Sequence, residues 1–268
     1  MRENSTRMLS GAVYVILLIT ATLYSETSFL GLFGVFLFIA IIEFCDLVDL
    51  KKINAVAIGS VLFMLFSFFS ISSATKILLT IGSLFVALKL MYLLFSKSNI
   101  KIDSISKYVY LIGYVILPII ILTKIPFHNI FFEPKLLVFI FVLIWVNDTF
   151  AYIVGKSIGK NKLFVSISPK KTIEGFLGGI TFAVLVSVII ALTNNYLVIF
   201  WVIISILIGI FGSIGDLIES RFKRIAGVKD SGTIMPGHGG ILDRLDSAIF
   251  VAPFIYLFLQ IFQYFNYA

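Results

Sequence analysis

The chain predicts an all-α, polytopic integral membrane protein of about nine transmembrane helices, and three observations carry that reading. Its 268 residues are 60% hydrophobic and only 13% charged, with a mean hydropathy of +1.09, more apolar surface than a soluble domain of this length can hide. The apolar residues fall in blocks approaching the ~20 residues a helix needs to cross a hydrocarbon core. The cations are sorted as well: read as alternating spans, the blocks leave 17 of the 21 Lys and Arg on one face.

Nine segments are read, at roughly 8–24, 28–45, 55–73, 76–96, 108–123, 136–154, 175–193, 196–215 and 247–265. The first two are joined by a few residues around Glu26, and the seventh and eighth by Asn194-Asn195, so both pairs should be antiparallel hairpins. Pro118 and Pro253 lie inside segments and should kink them, since neighbouring helices re-satisfy the freed backbone groups. Arg2 and Arg7 before the first run resemble a signal peptide. Further spans follow and no small-residue cleavage site is evident, so an uncleaved first helix is expected. Cys45 is alone, which excludes an intrachain disulfide and argues against a cysteine zinc site. With no repeat or linker, residues 1–268 read as one integral membrane domain.

Orientation follows from the cations. Only Lys76, Lys124 and Lys135 fall on the minority face, and Lys89 lies within the fourth segment. The bias puts the N-terminus in the cytoplasm and turns two polar loops, 155–174 and 216–246, to that side together. The net charge of +7 is thus a membrane-topology signal, and no nucleic-acid partner is expected. Lys89 and Glu43 are intramembrane charges that should face the bundle interior. His128, beside Phe127 and Phe131, reads as interfacial.

The polar residues at the inner helix ends need a chemical explanation. Asp216 and Glu219 are spaced to share a helix face, and Asp243 and Asp246 repeat the spacing where the ninth segment approaches. Asp148 sits beside Asn147 near the end of the sixth. Such carboxylates suit Mg2+, which binds through one or two of them plus substrate phosphates; Asp243 suits a helix cap equally well. The glycines of Pro236-Gly237-His238-Gly239-Gly240 let backbone N–H groups approach an anion. His238 suits three roles: phosphate donor, acid or base, and loop fixation. Lys170-Lys171 with Ser168, just ahead of a helix, make a phosphate cradle or a positive-inside anchor. Gly155-Lys156-Ser157 imitates the end of a P-loop, but Phe150 replaces the required glycine and no strand precedes it. Gly175 and Gly179 read as a helix-packing pair.

The run Ser220–Asp246 resembles the motif of the phosphatidate cytidylyltransferase (CDP-diacylglycerol synthase) family. It matches in Ser220, Lys223-Arg224, Lys229-Asp230, Gly232, Pro236, His238-Gly239-Gly240, Asp243-Arg244 and Asp246, with Met235 as a mild departure. A second match covers Asp148 to Gly179, including Ser168-Pro169-Lys170-Lys171-Thr172 and Glu174-Gly175. The likeness is strong from about residue 136 onward and rests on hydropathy alone before that. It divides the chain into N-terminal helices (1–107) and catalytic helices with cytoplasmic loops (108–268).

The resemblance implies that CTP and phosphatidic acid give CDP-diacylglycerol and pyrophosphate with Mg2+, in phospholipid biosynthesis at a bacterial-type inner or plasma membrane. It further suggests a homodimer and a monovalent cation beside the magnesium. On that reading Asp216, Asp243 and Asp246 hold the metal. Lys223, Arg224, Lys229, His238 and Arg244 act with them on the phosphates, and Ser168, Lys170, Lys171, Ser220, Gly239 and Gly240 bind substrate. Two other classes would use similar residues: a CTP-dependent lipid kinase, and a transporter with charges along its path. The kinase moves the γ-phosphoryl group, and the transporter needs charges near mid-membrane rather than at one face. For the orientation, a cysteine introduced within 224–228 should be labelled by an impermeant maleimide only from the cytoplasmic side, whereas labelling from outside alone inverts the topology.

Overall fold

The computed structural model describes residues 2–96, 102–127 and 132–267, with side chains from 7 to 264 within those ranges. The helices are α1 (Arg2–Tyr24), α2 (Glu26–Val48), α3 (Lys52–Phe68), α4 (Ser73–Phe95), α5 (Ser104–Phe127), α6 (Pro134–Ile158), α7 (Ile173–Thr193), α8 (Val198–Ile225) and α9 (Leu242–Tyr267). Among the described residues, eight are long and apolar enough to cross a bilayer, and α3 is a shorter apolar helix. The expected charges at Lys97 and Lys101, and the expected roles of His128 and Phe131, lie outside the described residues.

Contacts at the two ends of the bundle fix the passes. Lys107 Nζ, at the start of α5, donates to the Asp49 carbonyl just past α2 (2.9 Å). Arg221, late in α8, donates to the Leu94 carbonyl at the end of α4 (2.9 Å). At the opposite end, Lys124 Nζ of α5 donates to the Ser67 carbonyl of α3 (3.1 Å). So α3, though short, runs from one end of the bundle to the other, and each of the nine expected segments corresponds to a helix among the described residues. The α1–α2 turn is only Ser25, whose hydroxyl accepts from Ser28 N while Ser28 Oγ accepts from Ser25 N (both 3.1 Å), a reciprocal cap that satisfies two otherwise orphaned donors.

Helices α2, α5 and α9 form the centre. Phe44 of α2 meets Phe222 of α8 edge-on at 5.2 Å, and Tyr114 of α5 lies 5.8 Å from the same ring. Pro118 has no N–H and its ring would collide with the Tyr114 carbonyl. A wide π-helical turn at Leu111–Ile116 absorbs that misfit. A second such turn, Ile208–Gly212, interrupts α8.

Three expectations need correction. The polar loop expected at 216–246 starts only after Ile225, because Leu217, Ile218 and Phe222 are buried and draw three more turns of α8 into the protein. The loop at 155–174 is not wholly irregular: α6 continues to Ile158, and an antiparallel hairpin follows, β1 (Lys162–Phe164) and β2 (Ser168–Thr172). Lys89 does not face the interior. It stands on the exposed side of α4 with Nζ 5.3 Å from the Tyr110 ring centroid, where a cation–π contact holds it.

Helices α6 and α7 pack most closely, and glycines permit it. A Cβ at Gly175 would lie 2.5 Å from the Ala151 carbonyl oxygen, and one at Gly179 would lie 2.7 Å from that of Asn147. Backbone cannot yield as a side chain does, and overpacking of this kind costs ~1–3 kcal/mol or more. Gly179→Leu should therefore lower the melting temperature in detergent by several degrees. Gly31→Ala, where nothing lies within 4 Å of the new methyl, should leave it unchanged.

Candidate active site

At one end of the bundle, the last turns of α6 and α8, the first turns of α7 and α9 and the hairpin enclose a cavity of about 700 Å3, within the usual range for small-molecule sites. Both sequence regions meet there. From the first come Asp148, Tyr152, Lys156, Lys162, Lys170 and Lys171; from the second come Asp216, Lys223, Asp230, Asp243, Arg244 and Asp246.

Local sequence explains each wall. Asp148, Tyr152 and Lys156 follow at four-residue steps, hence along one face of α6. Thr172 caps α7 by accepting from Gly175 N (3.1 Å). Glu174 reaches back to accept from Lys160 N and Asn161 N (both 3.1 Å) and Asn161 Nδ2 (2.8 Å), pinning the hairpin base. The hairpin thereby presents Lys170 and Lys171 to the cavity. Lys171 Nζ lies 2.6 Å from Asp216 Oδ2, an ion pair joining the two regions.

A second ion pair system lies deeper. Lys223 of α8 is inserted between Glu219, one turn earlier, and Asp243 Oδ1 of α9 at 2.6 Å. Asp243 Oδ2 accepts from Ser231 N (2.8 Å), Ser231 Oγ (2.9 Å) and Gly240 N (2.8 Å). One carboxylate thus ties α8, the 227–240 loop and the start of α9 together.

This changes the expected division of labour. Among the described residues no three carboxylate, imidazole or thiolate groups converge as a metal-binding cluster. Asp243, expected as a metal ligand, has both oxygens engaged by the protein. Asp148, Asp216 and Asp246 are different. They line the cavity from three helices, Asp246 feels the negative charge of both others, and only Asp216 has a cation on it. Repelling carboxylates beside open space are a donor set that a hard divalent ion fits, through one or two of them plus substrate oxygens.

Seven expected site residues line the cavity: Lys170, Lys171, Asp216, Lys223, Asp243, Arg244 and Asp246. The others lie elsewhere. Ser220 Oγ donates to Asp216 Oδ1 (3.2 Å) and so orients that carboxylate. Ser168 belongs to β2 and is absent from the lining. Arg224 is exposed and donates to the Val228 carbonyl (2.8 Å), closing the loop after α8; Lys229 is exposed outside the cavity. Gly239 and Gly240 make no open anion nest. Gly239 backs against Asp243, with space of only 2.4 Å for a Cβ, and the Gly240 N–H goes to that same carboxylate. His238 lies outside the lining, with Nδ1 2.7 Å from Ser10 Oγ of α1. Burial, then the nearby Arg244 and Arg7, hold its pKa below the usual imidazole range, and Ser10, which also donates to the Pro236 carbonyl, ties this turn to α1. Asp243 is not the cap of α9 either: Glu43 of α2 accepts from Ile241 N and Leu242 N.

Asp148, Tyr152, Lys156, Lys162 and Asp230 are lining residues that were not singled out as site residues. For Asp148 a signal existed in its place at an inner helix end. Lys156 and Lys162 read equally well as topology anchors, and only the fold of the hairpin separates the roles.

A family model described as the cytidylyltransferase family matches residues 5–262. A phosphatidate cytidylyltransferase of Bacillus subtilis (strain 168) is 51% identical over 124 residues, 46% of each chain. Proteins of the same name from Staphylococcus saprophyticus (48% over 125 residues, 46% of this chain and 48% of the relative) and Staphylococcus epidermidis (48% over 127 residues, 47% and 49%) are similar. Each match spans about half the length of the curated relative.

The Lys223 arrangement makes a sharp prediction. Lys223→Met leaves two buried anions facing each other, and breaking such a system costs ~3–5 kcal/mol. The melting temperature should fall steeply, and adding Glu219→Gln to Lys223→Met should recover part of the loss.

Proposed function

The chain belongs to the cytidylyltransferase family, and we propose that it transfers a cytidylyl group from CTP to phosphatidic acid, releasing pyrophosphate. The observation that carries this reading is the cavity itself. Six cations and five carboxylates from three helix ends, the hairpin and the loop after α8 line one cavity at the tips of membrane-crossing helices, where a polyanionic nucleotide from water and a lipid phosphate from the bilayer can meet. The names borne by the similar bacterial proteins support the same substrates.

In this reaction a phosphate oxygen of the lipid attacks the α-phosphorus of CTP. A new P–O bond forms as the bond from that phosphorus to the β-bridging oxygen breaks, and the pair of electrons leaves with pyrophosphate. The attacking phosphate is already ionised near neutral pH, so no general base is required. The task of the protein is to bring anions together and hold them in line. Lys156, Lys162 and Lys170 line the cavity from α6 and the hairpin and Arg244 lines it from α9, so phosphates of the two substrates can be gripped by cations from separate elements. Lys171, held by Asp216, stays beside the cavity in one orientation. Lys223 is anchored by two carboxylates and offers a fixed positive charge at the cavity floor.

Mg2+ fits Asp216 and Asp246, with Asp148 near, and would supply charge neutralisation of the triphosphate and of the leaving pyrophosphate. The monovalent cation and the homodimer rest on the resemblance of Ser220–Asp246 alone. The sorting of the lysines and arginines supports a cavity open to the cytoplasm, and the bacterial-type plasma membrane rests on the family resemblance and on the bacterial relatives. The transporter reading finds no support, because the carboxylates of the cavity gather at one end of the bundle.

Purified protein with CTP, Mg2+ and phosphatidic acid should yield pyrophosphate and a CDP-linked lipid carrying label from α-labelled CTP. Label from γ-labelled CTP in the lipid would instead establish a kinase. Excess EDTA should stop turnover, and Asp246→Asn should lower kcat by about 10²–10³-fold, as loss of a transition-state charge partner does, with the protein still inserted in the membrane.

A further inference from the structure

We propose that Glu43, in the N-terminal half of the chain and outside both sequence regions that line the cavity, is the positioning residue that holds the acidic face of α9 toward the cavity; the kinetic part of this proposal rests on the function given above. Glu43 lies late in α2 and is 4% exposed. Its Oε1 accepts from Ile241 N (3.1 Å), and its Oε2 accepts from Leu242 N (2.7 Å) and Ser231 Oγ (3.4 Å). The first N–H groups of a helix have no partner within it, and a carboxylate placed against them also meets the positive end of the helix dipole. Here that carboxylate comes from a helix some 200 residues away in sequence.

Two glycines are explained by the same group. A Cβ at Gly232 would lie 2.4 Å from Glu43 Oε1, and one at Gly240 would lie 2.4 and 2.5 Å from its two oxygens. Both glycines are half-wrapped around the carboxylate, so the loop is shaped to receive it. The next residues after the clamped amides are Asp243, Arg244 and Asp246, all cavity-lining. Glu43 touches none of the cavity space. Its effect must pass through the backbone of Gly240-Ile241-Leu242, whose position sets the rotation of the first turn of α9.

The test compares Glu43→Gln, Glu43→Ala and Gly240→Ala with the unaltered protein, by hydrogen–deuterium exchange and by steady-state kinetics with CTP and phosphatidic acid in mixed micelles. In Glu43→Gln an amide NH2 must oppose one of the two N–H donors; in Gly240→Ala the carboxylate stays but is pushed aside. Each variant should raise exchange at least tenfold in residues 231–246 with other helices unchanged. Each should lower kcat by tenfold or more while KM for CTP moves less than threefold. Unchanged exchange in 231–246, exchange rising evenly over all helices, or kcat within twofold in Gly240→Ala would overturn the proposal. Should Glu43→Ala fail to fold, Gly240→Ala and Glu43→Gln decide it. If the unaltered protein makes no CDP-linked lipid, the functional reading falls, and the exchange comparison still settles whether Glu43 clamps α9.

Discussion

One ammonium group holds the working end of this molecule together. Lys223 Nζ sits between Glu219 and Asp243, and through Asp243 it reaches the Ser231 and Gly240 amides. A charged group in such a place is costly to desolvate, and only close opposite charges with saturated hydrogen bonding offset that cost. The arrangement meets the condition on Asp243, where both oxygens are engaged, and leaves Glu219 Oε1 without a partner. Helix α8 is thereby locked to α9 across a loop whose own sequence, rich in glycine, has little stiffness. The geometry of every cavity carboxylate on those helices is downstream of this lock.

Around it the charges separate by task. Cations next to open space lie on the hairpin, on the last turn of α6 and at Arg244, while the carboxylates that repel one another come from α6, α8 and α9. Groups with satisfied partners, Asp243 and Glu43 above all, belong to the scaffold. Groups that face the cavity with few partners are the ones left to engage a ligand. The line between scaffold and site therefore follows hydrogen-bond saturation rather than residue type.

Much of the fold was legible because bilayer length and charge sorting are one-dimensional signals. All nine segments correspond to helices, and the two polar regions do face the same end. Helix ends were less legible. The eighth helix gains three turns because Leu217, Ile218 and Phe222 are buried, Phe222 against Phe44 of α2 and Tyr110 of α5, which is tertiary information. The site divided in the same way. Residue types and spacing pointed to Asp216, Asp246, Lys170, Lys171 and Arg244, and all five line the cavity. They could not tell that Asp243 spends both oxygens internally, that His238 pairs with Ser10, or that Glu43 caps a distant helix. The last two depend on partners some 200 residues away, the first on how the loop folds back on Asp243, and Lys89 was misplaced because its exposed face and its Tyr110 contact are invisible in one dimension.

The wide turn at Ile208–Gly212 also determines which way the lower part of α8 looks. A turn of this kind accommodates one residue more than regular helix does, and each residue advances the helix by about 100°. Were the same residues wound as regular α-helix instead, Asp216, Ser220 and Lys223 would swing by about that angle, carrying the Asp216 carboxylate off the cavity and Lys223 off Asp243. Helix phase, more than helix length, is what this segment contributes, and it converts an ordinary lipid-crossing rod into one whose final turns carry chemistry on one chosen side.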